Sequence, residues 1–224
     1  YSWGKKLSDM LFTGMTALQN VFNPHVYELM FEEQQGSGKK IGEYLTPFVY
    51  ISVAAALLLV SFAEEIVFLL MTSAYGAAAP IAMVLTLYFA ILFFGKITGI
   101  QLIYSKKTHI TSVLSFISIG LNIALNIPFI YKWGAMGAAM ATLLSALMSG
   151  SLSLFVAQKY FKIHWEIRKL FPMYGFLFAT AGLLLFLVDI QLAYGIRLCV
   201  KLGLFALFIL YGNRITIVTM TNLQ

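Results

Sequence analysis

Charge is what this sequence has least of. Asp, Glu, Lys and Arg make up 11% of its 224 residues, whereas a soluble domain needs roughly a quarter of its residues charged. With 60% hydrophobic residues and a mean hydropathy of +0.86, that deficit excludes an ordinary soluble domain and marks an integral membrane protein. Cysteine is almost missing too. The single Cys199 lies in an apolar run, so an intrachain disulfide and a multi-cysteine metal site are excluded, and a buried structural thiol is expected. His25, His109 and His164 are scattered, with no zinc spacing. No serine sits in a Gly-rich nucleophile elbow, so neither cofactor, metal nor enzymatic chemistry is expected. The start, YSWGKK, lacks an initiator Met and a cleavage-site pattern, and the chain is expected to begin inside a larger protein.

What is present is a series of apolar runs joined by short basic loops. At about 20 residues per crossing, seven spans are predicted: A from Leu7 to Phe31, B from Leu45 to Phe62, C from Ala77 to Tyr104, D from His109 to Tyr131, E from Ala135 to Tyr160, F from Phe171 to Val188 and G from Ile196 to Tyr211. Between B and C, Glu64 and Glu65 precede a short apolar piece, Ile66 to Met71, that is expected to lie at the membrane interface. The linker QQGSGKK, 34–40, is expected to be a flexible loop.

Although the net charge is +6, the basic residues form no stripe interleaved with aromatics, and nucleic acid is not an expected partner. They report orientation instead. Lys39, Lys40, Lys106, Lys107, Lys159, Lys162, Arg168, Lys169 and Arg214 fall on one side, against Lys5, Lys6, Lys132, Arg197 and Lys201 on the other. Nine against five predicts that the A/B, C/D and E/F loops and the C-terminus are cytoplasmic.

Polar residues inside the spans are the candidates for function. On span A, Asp9, Thr13, Thr16, Asn20, Asn23 and Tyr27 recur at helical spacing on one face, with Pro24 as a kink. Lipid cannot satisfy such a stripe, so it either bonds neighbouring helices or lines a water-filled path. Lys96 stands ten residues before Lys106, hence ~15 Å along the helix from its end. A lysine stem cannot snorkel that far. It either lines an anion path or pairs with a buried carboxylate, and Gln101 would extend the polar lining. Asn122 and Asn126 share a face of span D with Ser118, for interhelical hydrogen bonding or substrate contact. Asn126 also stands near enough to Pro128 to satisfy backbone groups freed there. On span E, Gly137, Ala141, Ser145, Ser149 and Ser153 make one small-residue ridge and Ala138, Thr142, Ala146 and Gly150 a second, which predicts close helix packing. His25 and Glu28 are spaced for a surface pair.

The stretch from Lys96 to Ala141, KITGIQLIYSKKTHITSVLSFISIGLNIALNIPFIYKWGAMGAAMA, resembles the C-terminal half of bacterial polysaccharide flippases, the oligosaccharide transporters of the multidrug/oligosaccharidyl-lipid/polysaccharide exporter superfamily. The opening YSWGKKLSDM and NVFNPHVYELMFEE are similar to the family's corresponding stretch, and KYFKIHWEIRKLF fits in position. The resemblance implies an all-α membrane bundle forming the second half of a pseudo-symmetric two-bundle transporter. Residues 1–160 would supply that second bundle and 161–224 a cytoplasmic loop with two added spans. The N-terminal bundle, membrane lipids and a lipid-linked oligosaccharide would be the partners. The implied activity is movement of undecaprenyl-pyrophosphate-linked repeat units across the bacterial inner membrane by alternating access, for surface polysaccharide or O-antigen. Basic residues would attract the pyrophosphate, a role that Lys96 suits. A peptidoglycan-precursor flippase and a multidrug/cation antiporter are the alternatives within the superfamily. A membrane-embedded polymerase or glycosyltransferase, which would need a large outer loop or an acidic boundary motif, is the alternative outside it.

Overall fold

A computed structural model describes residues 2–31, 36–70, 78–190 and 192–221, with the side chains of 2–12, 15, 70 and 215–221 outside that description. Every regular element among these residues is helical. The order is α1 (Ser2–Phe31), α2 (Ser37–Ser61), α3 (Ala63–Leu70), α4 (Ala78–Tyr104), α5 (Thr108–Tyr160), α6 (Ile167–Asp189) and α7 (Tyr194–Thr221). Five of them, α2 and α4 to α7, are long and apolar enough to cross a membrane. α1 is less apolar in sequence than these five, because the polar residues of the predicted span A dilute its apolar ones. The membrane-boundary reading of α3 agrees with its length of eight residues, since ~12 Å of helix cannot cross ~30 Å of hydrocarbon.

The longest helical run is two arms. Fifty-three residues in one rod would reach ~80 Å. Gly134 interrupts it with φ 55° and ψ −132°, a backbone conformation open to glycine and closed to residues with a Cβ. The chain reverses there. Ser118 bonds Ser149 while Asn122 bonds Ser145, so partners advance on one arm as they recede on the other, as in an antiparallel hairpin of 108–133 and 135–160. These arms match spans D and E.

α4 is the hub. It packs on α1, α2, α3, α5 and α6, while α6 and α7 also pack on α2. Seventeen of its 27 residues are buried, and the centre is filled by Phe22, Met30, Leu45, Leu57, Met83, Phe93, Ile97 and Met173. Among the buried positions of α2, Ile41, Leu45, Val49, Val53, Leu57 and Val60 recur every three or four residues and so form one face. In lipid this core gains no hydrophobic drive between helices, and its cohesion comes from close packing and interhelical hydrogen bonds. Tyr174 supplies one such bond, its Oη donating to the Ala90 carbonyl at 3.0 Å.

The structure corrects several expectations. The stretch 34–40 is not a loop throughout, because Gly36 adopts φ 108° and α2 begins at Ser37; residues 34 and 35 lie outside the described residues. The reason is packing. A Cβ at Gly38 or Gly42 would run into the backbone of Lys162 or His164, so glycine serves close approach here rather than flexibility. α6 starts at Ile167, four residues earlier than span F, because the basic turn Arg168–Lys169 is helical. Cys199 is exposed rather than buried, on a face of α7 that packs against no other described helix. Arg197 and Lys201 lie on α7, within the predicted span G, and are paired with Glu64 and Glu65.

Candidate functional site: the cavity between α4 and α5

The α5 hairpin leans on α4 and leaves a cavity of about 540 Å³ between them. Lys96 enters its wall from α4, half-buried. Opposite it, Ser118 and Asn122 come from the first arm of α5 and Ser145 and Ser149 from the second. Thr111, Ser115 and Thr142 add hydroxyls, and Ile91, Leu114 and Ile123 supply apolar walls. Spacing explains the convergence: 111, 115, 118 and 122 fall on one helical face, as do 142, 145 and 149.

The amides and hydroxyls of the far wall form a ladder. Asn122 Nδ2 donates to Ser145 Oγ at 3.0 Å, and Ser145 Oγ donates to the Thr142 carbonyl at 2.9 Å. Ser118 Oγ donates to Ser149 Oγ at 3.1 Å, and Ser149 Oγ donates to the Ser145 carbonyl at 2.7 Å. Asn126 Nδ2 reaches back to Asn122, to its carbonyl at 2.9 Å and to Oδ1 at 2.8 Å. Asn126 is therefore engaged with Asn122 rather than with the backbone freed at Pro128. Asn122 joins the arms and also lines the cavity, whereas Asn126 is not among the lining residues.

Gln101 serves elsewhere. It is fully buried, and its Nε2 donates to the Phe161 carbonyl at 2.8 Å. Gln158 holds the same loop through Ile163, accepting from its N–H at 2.8 Å and donating to its carbonyl at 2.9 Å. The His164 N–H donates to the Gly38 carbonyl at 3.0 Å. These bonds strap the loop 161–166 onto α2 and α4. Thr16 and Asn20 lie exposed on α1 and Asn23 half-buried there, and none of the three lines the cavity. The Asp9 side chain lies outside the described residues.

Of the packing residues, Gly137, Ala141, Ser145 and Ser149 are all buried, and Gly137 sits against the Phe129 carbonyl. Sequence reasoning found Lys96, Asn122 and the small ridge. It passed over Thr111 and Ser115, whose signal was their helical register with Ser118 and Asn122. The His25–Glu28 pair forms as expected, at 3.1 Å and exposed. No group of three His, Cys, Asp or Glu side chains among the described residues could hold a metal ion.

One amphipathic cavity holding a cation, hydroxyls and amides, within helices of membrane-spanning length, defines the class: a multi-pass helical membrane protein. No protein-family model, curated protein or solved structure matches the chain.

Proposed function

We propose that the chain is part of a flippase that moves undecaprenyl-pyrophosphate-linked oligosaccharides across the bacterial inner membrane by alternating access. The observation that supports this reading is the placement of Lys96 and Asn122 on facing walls of one cavity among hydroxyl groups. An ammonium with apolar surroundings attracts phosphate more strongly than one at the surface. Hydroxyls and amides suit the sugar. The apolar lining and the membrane outside suit the polyprenyl tail. On this reading the protein is a transporter rather than an enzyme, and an N-terminal bundle faces this one across the translocation path.

The test uses the full-length protein in liposomes that carry a fluorescent undecaprenyl-pyrophosphate oligosaccharide. Headgroups should become accessible to an impermeant glycosidase faster than in protein-free liposomes. Equal rates would overturn the reading, and uptake of an organic cation instead would favour an antiporter.

The same proposal places the loops of Lys39, Lys106 and Lys162 and the C-terminus in the cytoplasm. Lys39, Lys106 and Lys162 are exposed. Cysteines placed there one at a time, with Cys199 replaced by Ser, should resist an impermeant thiol reagent in intact cells and react after permeabilisation. Labelling of two of the three in intact cells would invert the topology.

A further inference from the structure

A second cluster lies at the end of the bundle opposite those basic loops, and the cavity makes no use of it. Glu64 and Glu65 open α3, where the helix dipole favours carboxylates. Arg197 and Lys201 are one turn apart on α7. Arg197 Nη1 donates to Glu64 Oε1 at 2.5 Å. Lys201 Nζ donates to Glu64 Oε2 at 2.7 Å and to both oxygens of Glu65, at 2.8 and 3.0 Å. The Lys201 side chain is 0% exposed, so its charge is balanced by these two carboxylates and not by water.

Among the described residues no other charge stands ready to replace them. α2 carries no charged residue after Glu43, the single charge of α4 is Lys96, and α6 has none between Lys169 and Asp189. Asp189 is exposed, as are Tyr194 and Cys199. Tyr50 and Tyr174 are bonded away from the cluster, to the carbonyls of Phe208 and Ala90. α3 rests its backbone on α2 and α4, and it reaches α7 through the charged side chains.

We propose that Glu64, Glu65, Arg197 and Lys201 form an acid-sensitive latch that fastens α7 to α3 when the carboxylates are ionised and releases it when both take protons. Glu64 is shared by both cations, so its protonation leaves Arg197 without a charged partner and Lys201 with only Glu65. Glu65 then still balances the Lys201 ammonium through both oxygens; when it too is protonated, that fully buried ammonium is left uncompensated and is driven toward water. The sign follows: the latch holds where the carboxylates are charged and opens as pH falls.

The chain has one cysteine, and Cys199 is exposed on α7, while Phe68 on α3 is 78% exposed. Spin labels on Cys199 and on Phe68→Cys, in full-length protein in lipid nanodiscs, therefore report the distance between the two helices. One narrow distance is expected at neutral pH. Acid should abolish it, and the double variant Glu64→Gln/Glu65→Gln should lack it at neutral pH. A fourfold variant that also carries Arg197→Gln and Lys201→Met has no charge to unbalance, and should give one distance at both pH values. The latch is overturned if acid leaves the native distance unchanged, or if the fourfold variant still responds to acid. If the double variant is not recovered folded, the native titration and the fourfold variant decide. The readout is geometric and independent of whether the protein flips lipids.

Discussion

Lys96→Met is expected to abolish export of surface polysaccharide while the protein stays folded in the membrane. Lys96 lines a cavity whose other polar side chains are neutral hydroxyls and the Asn122 amide, so it is the group there that can offset an anionic headgroup. A charge-assisted hydrogen bond contributes about 1.5–3 kcal/mol, and its loss would weaken headgroup binding roughly 10- to 150-fold by that figure. Lys96→Arg keeps the charge with different geometry and should retain part of the activity. Lys132→Met is a suitable control: Lys132 is exposed and lies 4.7 Å from the Trp133 ring, so its loss should leave export near the native level. Export is measured by complementing a strain that lacks the transporter, with membrane level and melting temperature followed in parallel. Native export by Lys96→Met would show that the charge is dispensable and return Lys96 to a structural role.

Much of this architecture is legible without coordinates, because membrane helices announce themselves by length and apolarity. The boundaries of α4 and of both α5 arms follow from the apolar runs and from Lys106–Lys107 and Gly134. α1 and α2 show where that signal weakens. A polar face lowers the apolarity of α1, and the glycines at 36 and 38 read as a linker although Gly38 admits the Lys162 backbone. Within the site, helical register carries Ser118, Asn122, Ser145 and Ser149, since residues three or four apart must share a face. Register cannot say which faces meet. Gln101, five residues after Lys96 in the sequence, therefore turns out to hold Phe161, at 2.8 Å. The α3–α7 cluster was the least visible feature. Glu64 and Lys201 are 137 positions apart, and hydropathy scores each as a membrane-boundary charge whether or not the two meet.

Gly137→Leu is expected to cause the largest loss of folded protein among substitutions in the α5 hairpin. A Cβ at Gly137 would strike the Phe129 carbonyl and crowd the next peptide, and neither is the end of a flexible side chain that could swing away. The arms would have to separate at their closed end, just beyond Gly134. Overpacking costs about 1–3 kcal/mol, and parting the arms also stretches the Asn122–Ser145 and Ser118–Ser149 bonds, worth about 0.6–2 kcal/mol each in membrane proteins. Together that is a large share of a typical stability of about 5–15 kcal/mol. Fluorescence-detected size exclusion should show most of the Gly137→Leu protein aggregated or absent, and any remainder should melt earlier. Ala141→Leu, at a position 0% exposed, should behave in the same direction. Gly150→Ala is the contrast, because a Cβ there meets only the Ile91 side chain at an ordinary 3.8 Å, and it should melt as the native protein does. A native melting profile for Gly137→Leu would mean that the two arms do not approach each other at this glycine.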